Sequence, residues 1–494
     1  MKNNVLIVGS GISALASALR LATNGFNVII LEKNSTAGGR LNQISFDGFT
    51  FDTGPSFFSM SYEFEQFAKE CGIKLPFKYY ELDPLYVVNF SNDPNYYSLY
   101  KNPQLLAKQF EKIEPEFQRK FNDYIKKCES LFNDTVDIVI KSNFDNYLEY
   151  FKKLMKVNPV HLPVLVRSFY NQVSRYFDSK TVQQIISLVA FFLGRSPFDT
   201  MAIYTLLSYT EFKHDGYYNV EGGMYNIVKG LLSELDKLNV KIHYNTEIVS
   251  FEAIDNKLIS LIDQNGNKWS ADIYLINSDA AYFRGKVFNR AEFSEKKLDK
   301  MKWTMGYLTI YLGLDIKLDK VAHHNYFLGE NYYEYARKVY SDPNTLEKPY
   351  YYVNVISKHN PELAPEGCES VFIVCPVPDL RYKQDWSDAE NIVSSIVSDL
   401  SKRISVDVSK HIVAKKYYTP IDWNNRFNLY RGSGLGLSHD MWQIGAFRPK
   451  NYDEVFENVF YTGASTHPGA GLPMGIISSK LAFERIMRYF NSKN

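Results

Sequence analysis

Val5 to Val8 is an unbroken run of four apolar residues with no polar alternation, as expected of a strand buried on both faces of a parallel sheet. The period then changes. Gly9-Ser10-Gly11-Ile12-Ser13-Ala14 opens a helix whose apolar positions Leu15, Leu19 and Leu21 lead to a stop at Gly25. A second apolar run, Val28 to Leu31, ends on Glu32. The predicted order is strand, turn, helix, strand.

Farther along, residues 60 to about 213 read mainly as helix, interrupted by a short extended piece from Leu85 to Phe90. The nine residues 185–193 form the longest apolar stretch, about half of what a membrane span needs, and are expected in a buried core helix. Strands return after a helix from about Met224, with turns at Asp255-Asn256 and Asn265-Gly266. Residues 290 to about 420 mix strands with a helix from about Ala389 to Arg403. Near the C-terminus a short strand, 457–461, runs into the glycine- and proline-rich stretch 462–475 and then an amphipathic helix. No internal repeat or low-complexity linker breaks the pattern.

A chain of 494 residues is too long for one ordinary core, so two domains are expected. Lys and Arg number 56 against 55 Asp and Glu, and a net charge of +1 gives no electrostatic case for a nucleic-acid partner. The four cysteines are widely spaced and show neither a zinc framework nor a disulfide scaffold, and a reducing, cytosolic compartment is expected. The N-terminal apolar run reads as the first strand of a fold and not as an export signal. Aromatic residues reach 15%, which suits both a pocket for a long apolar molecule and an ordinary aromatic core.

The strand-turn-helix-strand unit carries chemistry. Gly9 permits a tight turn, Gly11 lets the backbone approach a pyrophosphate, and the small Ala14 lets the helix pack close to the sheet. Free amides at the helix start, Ile12 and Ser13, suit the phosphates. Glu32, about twenty residues on, can accept both ribose hydroxyls, with Lys33 beside it. The pair Gly38-Gly39 offers a second close approach and Arg40 a fixed cation. A bound dinucleotide is expected.

These residues resemble the FAD-dependent amine oxidase and phytoene desaturase superfamily, in which Glu, five residues, then Gly-Gly-Arg follow the first fingerprint. The stretch 51–58, FDTGPSFF, resembles the corresponding stretch of the carotenoid desaturases and adds Gly54, Pro55 and Ser56 to the cofactor set. Gly194, Pro197, Phe198, Thr200, Ile203, Tyr204, Thr205, Leu206 and Glu211, with the closing TGASTHPGAGLPMG, resemble the bacterial phytoene desaturase family more narrowly. The resemblance implies FAD rather than NAD as cofactor. It implies an α/β fold with a discontinuous, Rossmann-like FAD-binding domain (1–75, 214–290 and 420–494). A substrate domain (76–213 and 291–419) would be helical over 100–213 and a mixed sheet over 291–419. It further implies Ile248 against the adenine, Gly463 near the phosphates, and Gly471, Leu472 and Met474 at a helix start aimed at the flavin.

The implied reaction removes hydride and proton from a long apolar polyene, phytoene-, diapophytoene- or hydroxycarotenoid-like. Oxygen or a membrane quinone would reoxidise the flavin. Isomerisation, ketolation, retinol-type saturation and amine oxidation with the same flavin stay open, as does a non-catalytic lipid carrier resembling the Rab GDP-dissociation inhibitors. No acid-base residue is assigned: His467 has no orienting partner in the sequence and is expected as a turn or pocket-wall residue. The other histidines show no ligand spacing, and His323 and His324 are expected on opposite faces of a strand, so no metal is proposed. Glu366-Gly367 and Asp379 are expected in solvated turns. Residues 152–175 mix lysines and arginines with apolar side chains, which suits a helix on a membrane's inner face or one packed on its own domain.

Overall fold

The computed structural model describes residues 3–493. Its first layer is a five-stranded, all-parallel sheet. Strand β1 (Asn4–Val8) lies at the centre, followed by helix α1 (Ile12–Thr23) and β2 (Asn27–Leu31). Helix α2 (Asn226–Lys237) leads to β3 (Lys241–His243). Strand β4 (Ile273–Ile276) and, near the end of the chain, β5 (Val459–Tyr461) and helix α3 (Leu472–Lys493) complete the layer. The strand order is β5-β4-β1-β2-β3, so the sheet is assembled from three separate stretches of sequence. The apolar run in β1 is buried throughout, as a strand covered on both faces requires. Helices α1, α2 and α3 pack on one face of this sheet and share one core with it. A three-stranded antiparallel sheet from residues 248–269 is packed with the other face.

The second layer is a seven-stranded mixed sheet in the order 412–418, 306–314, 369–377, 351–355, 324–328, 86–90 and 96–99. Helix Ala389–Ile404 shares a core with one face, and the helical region from Pro103 to His214 with the other. The extended piece expected at Leu85 to Phe90 is a strand of this sheet: Tyr86–Phe90 pairs in parallel with His324–Leu328, far away in sequence. A continuous helix does not persist through 185–193: the α-helix ends at Ser187 and Leu188–Leu193 is a 3-10 turn, buried at its start as expected.

Three other expectations are corrected. Asp379 is buried, not solvated: the adjacent Arg381 guanidinium grips both of its carboxylate oxygens, at 2.5 to 3.1 Å. His323 precedes its strand instead of sitting within it, so its ring lies against that of His324, centroids 4.4 Å apart, in place of facing away. Residues 152–175 break at Pro159 and Pro163 into short turns and do not form one helix. Glu366-Gly367 is an exposed turn, as expected, with Gly367 at φ +77°.

Candidate functional site

The site begins where β1 hands over to α1. Gly11 caps the helix without any side-chain acceptor, so the first amides of α1 point free at the crevice beyond the sheet. Gly9 turns at φ +87°, and a Cβ there would lie 2.6 Å from the carbonyl oxygen of Asn277 at the end of β4. Gly463, at φ +103° after β5, closes from the other side, where a Cβ would collide with the Asn277 amide. Asn277 in turn donates to the Thr462 carbonyl at 3.0 Å. Three strand ends thus converge on backbone with no room for side chains, which is the cradle a diphosphate needs.

Glu32 is buried at the end of β2. One carboxylate oxygen accepts from the Ser10 amide and hydroxyl at 2.8 and 2.6 Å, and the other from the Asn34 backbone and side-chain amides at 2.8 and 2.9 Å. Lys33 beside it is held by Asn428 at 2.9 Å and by Glu247 at 3.5 Å. A cavity of about 140 Å3 opens here, lined by Gly9, Gly11, Glu32, Lys33, Arg40 and Ile248 among others. Gly38 donates its amide to the Ser10 carbonyl at 2.9 Å, which brings the Gly38-Gly39-Arg40 turn onto the start of α1. Ala14 is outside this lining; it is fully buried on the helix, in keeping with a packing role.

Arg40 donates to the Gly434 carbonyl at 2.8 Å. Burial pushes its guanidinium below the ordinary range, and the Asp279 carboxylate nearby opposes that shift. Burial likewise raises Asp279 to about 6, against the Ala281 amide and Arg40, which favour its charge. The motif Asn277-Ser278-Asp279 at the end of β4 therefore supplies both the spacer of the cradle and the counter-charge of Arg40.

Beyond Arg40 and Asn277, which line both, a second cavity of about 510 Å3 extends between the mixed sheet and the helical region. Ile12, Ser13, Gly54, Pro55, Ser56, Gly463, Gly471, Leu472 and Met474 lie at one end, and Phe57, Phe192, Tyr217, Tyr326 and Tyr352 line its length. Helix α3 starts at Leu472, two residues earlier than the expected Met474. No carboxylate lines this cavity among the described residues. The tyrosines were not identifiable one by one in the sequence, because Tyr217 meets the strands that carry Tyr326 and Tyr352 only in the fold, more than 100 residues apart along the chain.

His467 and His439 also face the cavity. Burial, helped by the Arg448 guanidinium, pushes their imidazoles down to about 4 and about 3, so both are neutral at pH 7. Neither His467 nitrogen has a hydrogen-bond partner. Arg448 spends its donors on the backbone carbonyls of Thr466, Ser438, Gln443, Leu437 and Ala464, and so fixes the loop's shape. No carboxylate orients His467, and no group of three His, Cys, Asp or Glu that could hold a metal occurs among the described residues.

The profile of the family described as flavin containing amine oxidoreductase matches residues 12–487. A zeta-carotene-forming phytoene desaturase of Myxococcus xanthus is 29% identical over 99% of this chain and 95% of its own length. A 4,4'-diapolycopene oxygenase of Methylomonas is 26% identical over 98% of both chains. The solved structure of putrescine oxidase with bound putrescine superposes with a TM-score of 0.66 at 13% identity, over 99% of each chain.

Proposed function

Because the chain belongs to the flavin-containing amine oxidoreductase family and takes FAD as its cofactor, we propose that it dehydrogenates a long apolar polyene, in the manner its relatives' names describe. The observation that carries this reading is the 510 Å3 cavity that continues from the cofactor crevice and is walled by aromatic and aliphatic side chains. The crevice fits the cofactor on its own terms: unpaired helix amides, a backbone cradle that excludes any Cβ, and a buried carboxylate.

We assign Gly9, Gly11, Ile12, Ser13, Gly38, Gly39 and Gly463 to the phosphates and Glu32 with Lys33 to the ribose end. Ile248 would face the adenine. Arg40, Gly54, Pro55, Ser56, Gly471, Leu472 and Met474 would surround the flavin ring. When bound, the flavin supplies the hydride acceptor that no side chain can provide. The chain's own contribution is to hold an allylic carbon at the near end of the cavity, exclude water, and line the path of the polyene mainly with aromatic and aliphatic side chains. The two sheets divide this work: the parallel one holds the cofactor and the mixed one, with its helices, the substrate.

Amine oxidation is not favoured. A protonated amine would meet the Arg40 cation and no carboxylate in the cavity wall. Anaerobic addition of phytoene, zeta-carotene, a 1-hydroxycarotenoid or diapophytoene to the yellow holoenzyme should bleach the flavin and red-shift the polyene. Bleaching by an alkylamine and by none of the polyenes would reject the proposal. Readmitting oxygen, or adding a quinone under argon, identifies the acceptor that restores the colour.

We also propose that the substrate enters from a membrane surface. No helix among the described residues is long and apolar enough to cross one. Yet Leu148, Met155 and Val166 are 65, 77 and 82% exposed beside the exposed Lys152 and Lys156. Tyr147, Tyr150 and Phe151 pack on Phe447, and Gly445 just before it lines the cavity. The patch thus borders the substrate wall. Co-sedimentation with anionic vesicles at low salt should be lost in Met155→Glu/Val166→Glu, and equal sedimentation of the two proteins would refute this role.

A further inference from the structure

Dehydrogenation leaves a proton to dispose of, and no carboxylate lines the cavity among the described residues. His439 and His467 lie beside the buried Arg448 guanidinium, whose fixed positive charge opposes an imidazolium. A different group of buried histidines does reach the surface.

Tyr352 lines the cavity beside Ser56, whose hydroxyl contacts its phenol. Its Oη lies 2.6 Å from His324 Nδ1, and the Asn354 side-chain amide approaches the same nitrogen at 3.3 Å. With two donors on Nδ1, that nitrogen is the acceptor, and the neutral ring carries its hydrogen on Nε2, which has no partner. His324 shares its strand face with Tyr326 and Leu328, both in the cavity wall, and its ring stacks on Phe57 at 3.9 Å. On the far side His323 lies edge-on at 4.4 Å between centroids, also with a buried unpartnered nitrogen, Nδ1. The exposed His359 ring follows at 5.1 Å. The strand and turn that carry these rings are held by the Val355 amide and the Asn354 side chain, both bonded to the His323 carbonyl.

We propose that Tyr352, His324, His323 and His359 form a proton path that carries the proton released by polyene dehydrogenation from the cavity wall to solvent. The inference rests on the dehydrogenase reading above. In the reaction two C–H bonds on neighbouring carbons break and a C=C bond forms. One hydrogen leaves with its electron pair to the cofactor and the other leaves as a proton. A polyene that has lost hydride is a strong carbon acid, so a neutral hydroxyl is sufficient to receive that proton. As Tyr352 Oη takes it up, its own hydrogen passes to His324 Nδ1. The imidazolium releases its Nε2 hydrogen toward His323, and His359 hands a proton to water. Electrons are moved nowhere along the path, and each ring returns to neutrality.

Burial is the main cause that lowers both buried rings, and the neighbouring histidines add to it, taking His323 to about 3, so both imidazoles are neutral at rest and take up the proton only in passing.

The test uses the FAD-loaded enzyme and whichever polyene of the panel above bleaches the wild-type flavin fastest. Absence of bleaching by every polyene would overturn both the path and the reading beneath it. His359→Ala, at an exposed position, should slow product formation by about ten-fold and His323→Asn by ~100-fold, with FAD absorbance and melting temperature retained. The slowed variants should show a larger solvent deuterium isotope effect than wild type, and free imidazole should restore much of the His359→Ala rate. Wild-type rates in both variants would overturn the path, as would a loss that leaves the isotope effect unchanged and is not rescued by imidazole.

Discussion

Glu211 shows what single residues decide here. It is buried beside Tyr86, and burial raises its carboxyl to about 8, against the opposing hydrogen bond from the Tyr86 phenol. The folded protein therefore holds a proton that the unfolded chain releases near pH 4.5. Between those values the folded state binds more protons, so stability falls as pH rises, by an amount on the order of 5 kcal/mol for full ionisation. Thermal melts should drop between about pH 4.5 and 8 and level off above that, and Glu211→Gln should flatten that slope; parallel curves would show that the site ionises at no cost. His467 is a second residue-scale case. With both nitrogens unpartnered it has no means of being oriented as a base, so His467→Ala should keep FAD and lose about three-fold in turnover. Complete loss with the flavin spectrum intact would make it catalytic. The backbone of the crevice was legible in the sequence because glycine at Gly9 and Gly463 answers a local demand. Asn277, which makes that demand, meets Gly9 and Gly463 only in the fold, since these neighbours come from both ends of the chain.

Among the elements, β1, α1 and β2 are where local pattern and observed structure agree, because their hydrophobic periods are long and nothing nonlocal contradicts them. The extended piece at Tyr86–Phe90 is legible as such, but its partner is not, because His324–Leu328 lies far away in sequence, and the 152–175 stretch breaks where Pro159 and Pro163 interrupt it. Helix α3 shows how remote elements are joined. Arg20 of α1 donates to Ser479 of α3 at 3.2 Å and pairs with Glu70 at 2.6 Å, while Lys480 of α3 reaches the other Glu70 oxygen at 2.6 Å. Burial would raise the Glu70 carboxyl, but hydrogen bonds from Lys480, Gln66 and Arg20 together hold it down to about 2. Its stabilising effect is present above the unfolded value near 4.5 and is lost as pH falls through about 2. The group is partly solvated, so screening leaves roughly 1 kcal/mol. Glu70→Gln should melt lower than wild type at pH 7, and the gap should narrow toward pH 3; a constant gap would mean that packing, and not charge, is what the carboxylate supplies.

For the whole molecule, the crevice couples what the sequence separates. Its lining comes from residues 8–11, 31–40, 246–248, 277–283, 427–435 and 462–465, brought together only when the parallel sheet has formed and the mixed sheet is docked on it. An unfolded chain presents none of these surfaces at once, so FAD binds the folded state alone. At a free concentration a hundred times its dissociation constant it should add about 2.7 kcal/mol. An unfolding entropy of ~2 cal/mol/K per residue makes that a rise of about 3 °C in Tm for a chain of 494 residues. The rise should grow with the logarithm of FAD concentration and should appear in proteolysis of both sheets, since the crevice lies at the parallel sheet and the cavity that continues from it is walled by Tyr307, Thr309, Tyr326 and Phe372 of the mixed sheet. Protection confined to the parallel sheet would mean that the mixed sheet docks independently of the cofactor, and the continuity between the cofactor crevice and the aromatic cavity, on which the dehydrogenase reading depends, would then not be a property of the native state.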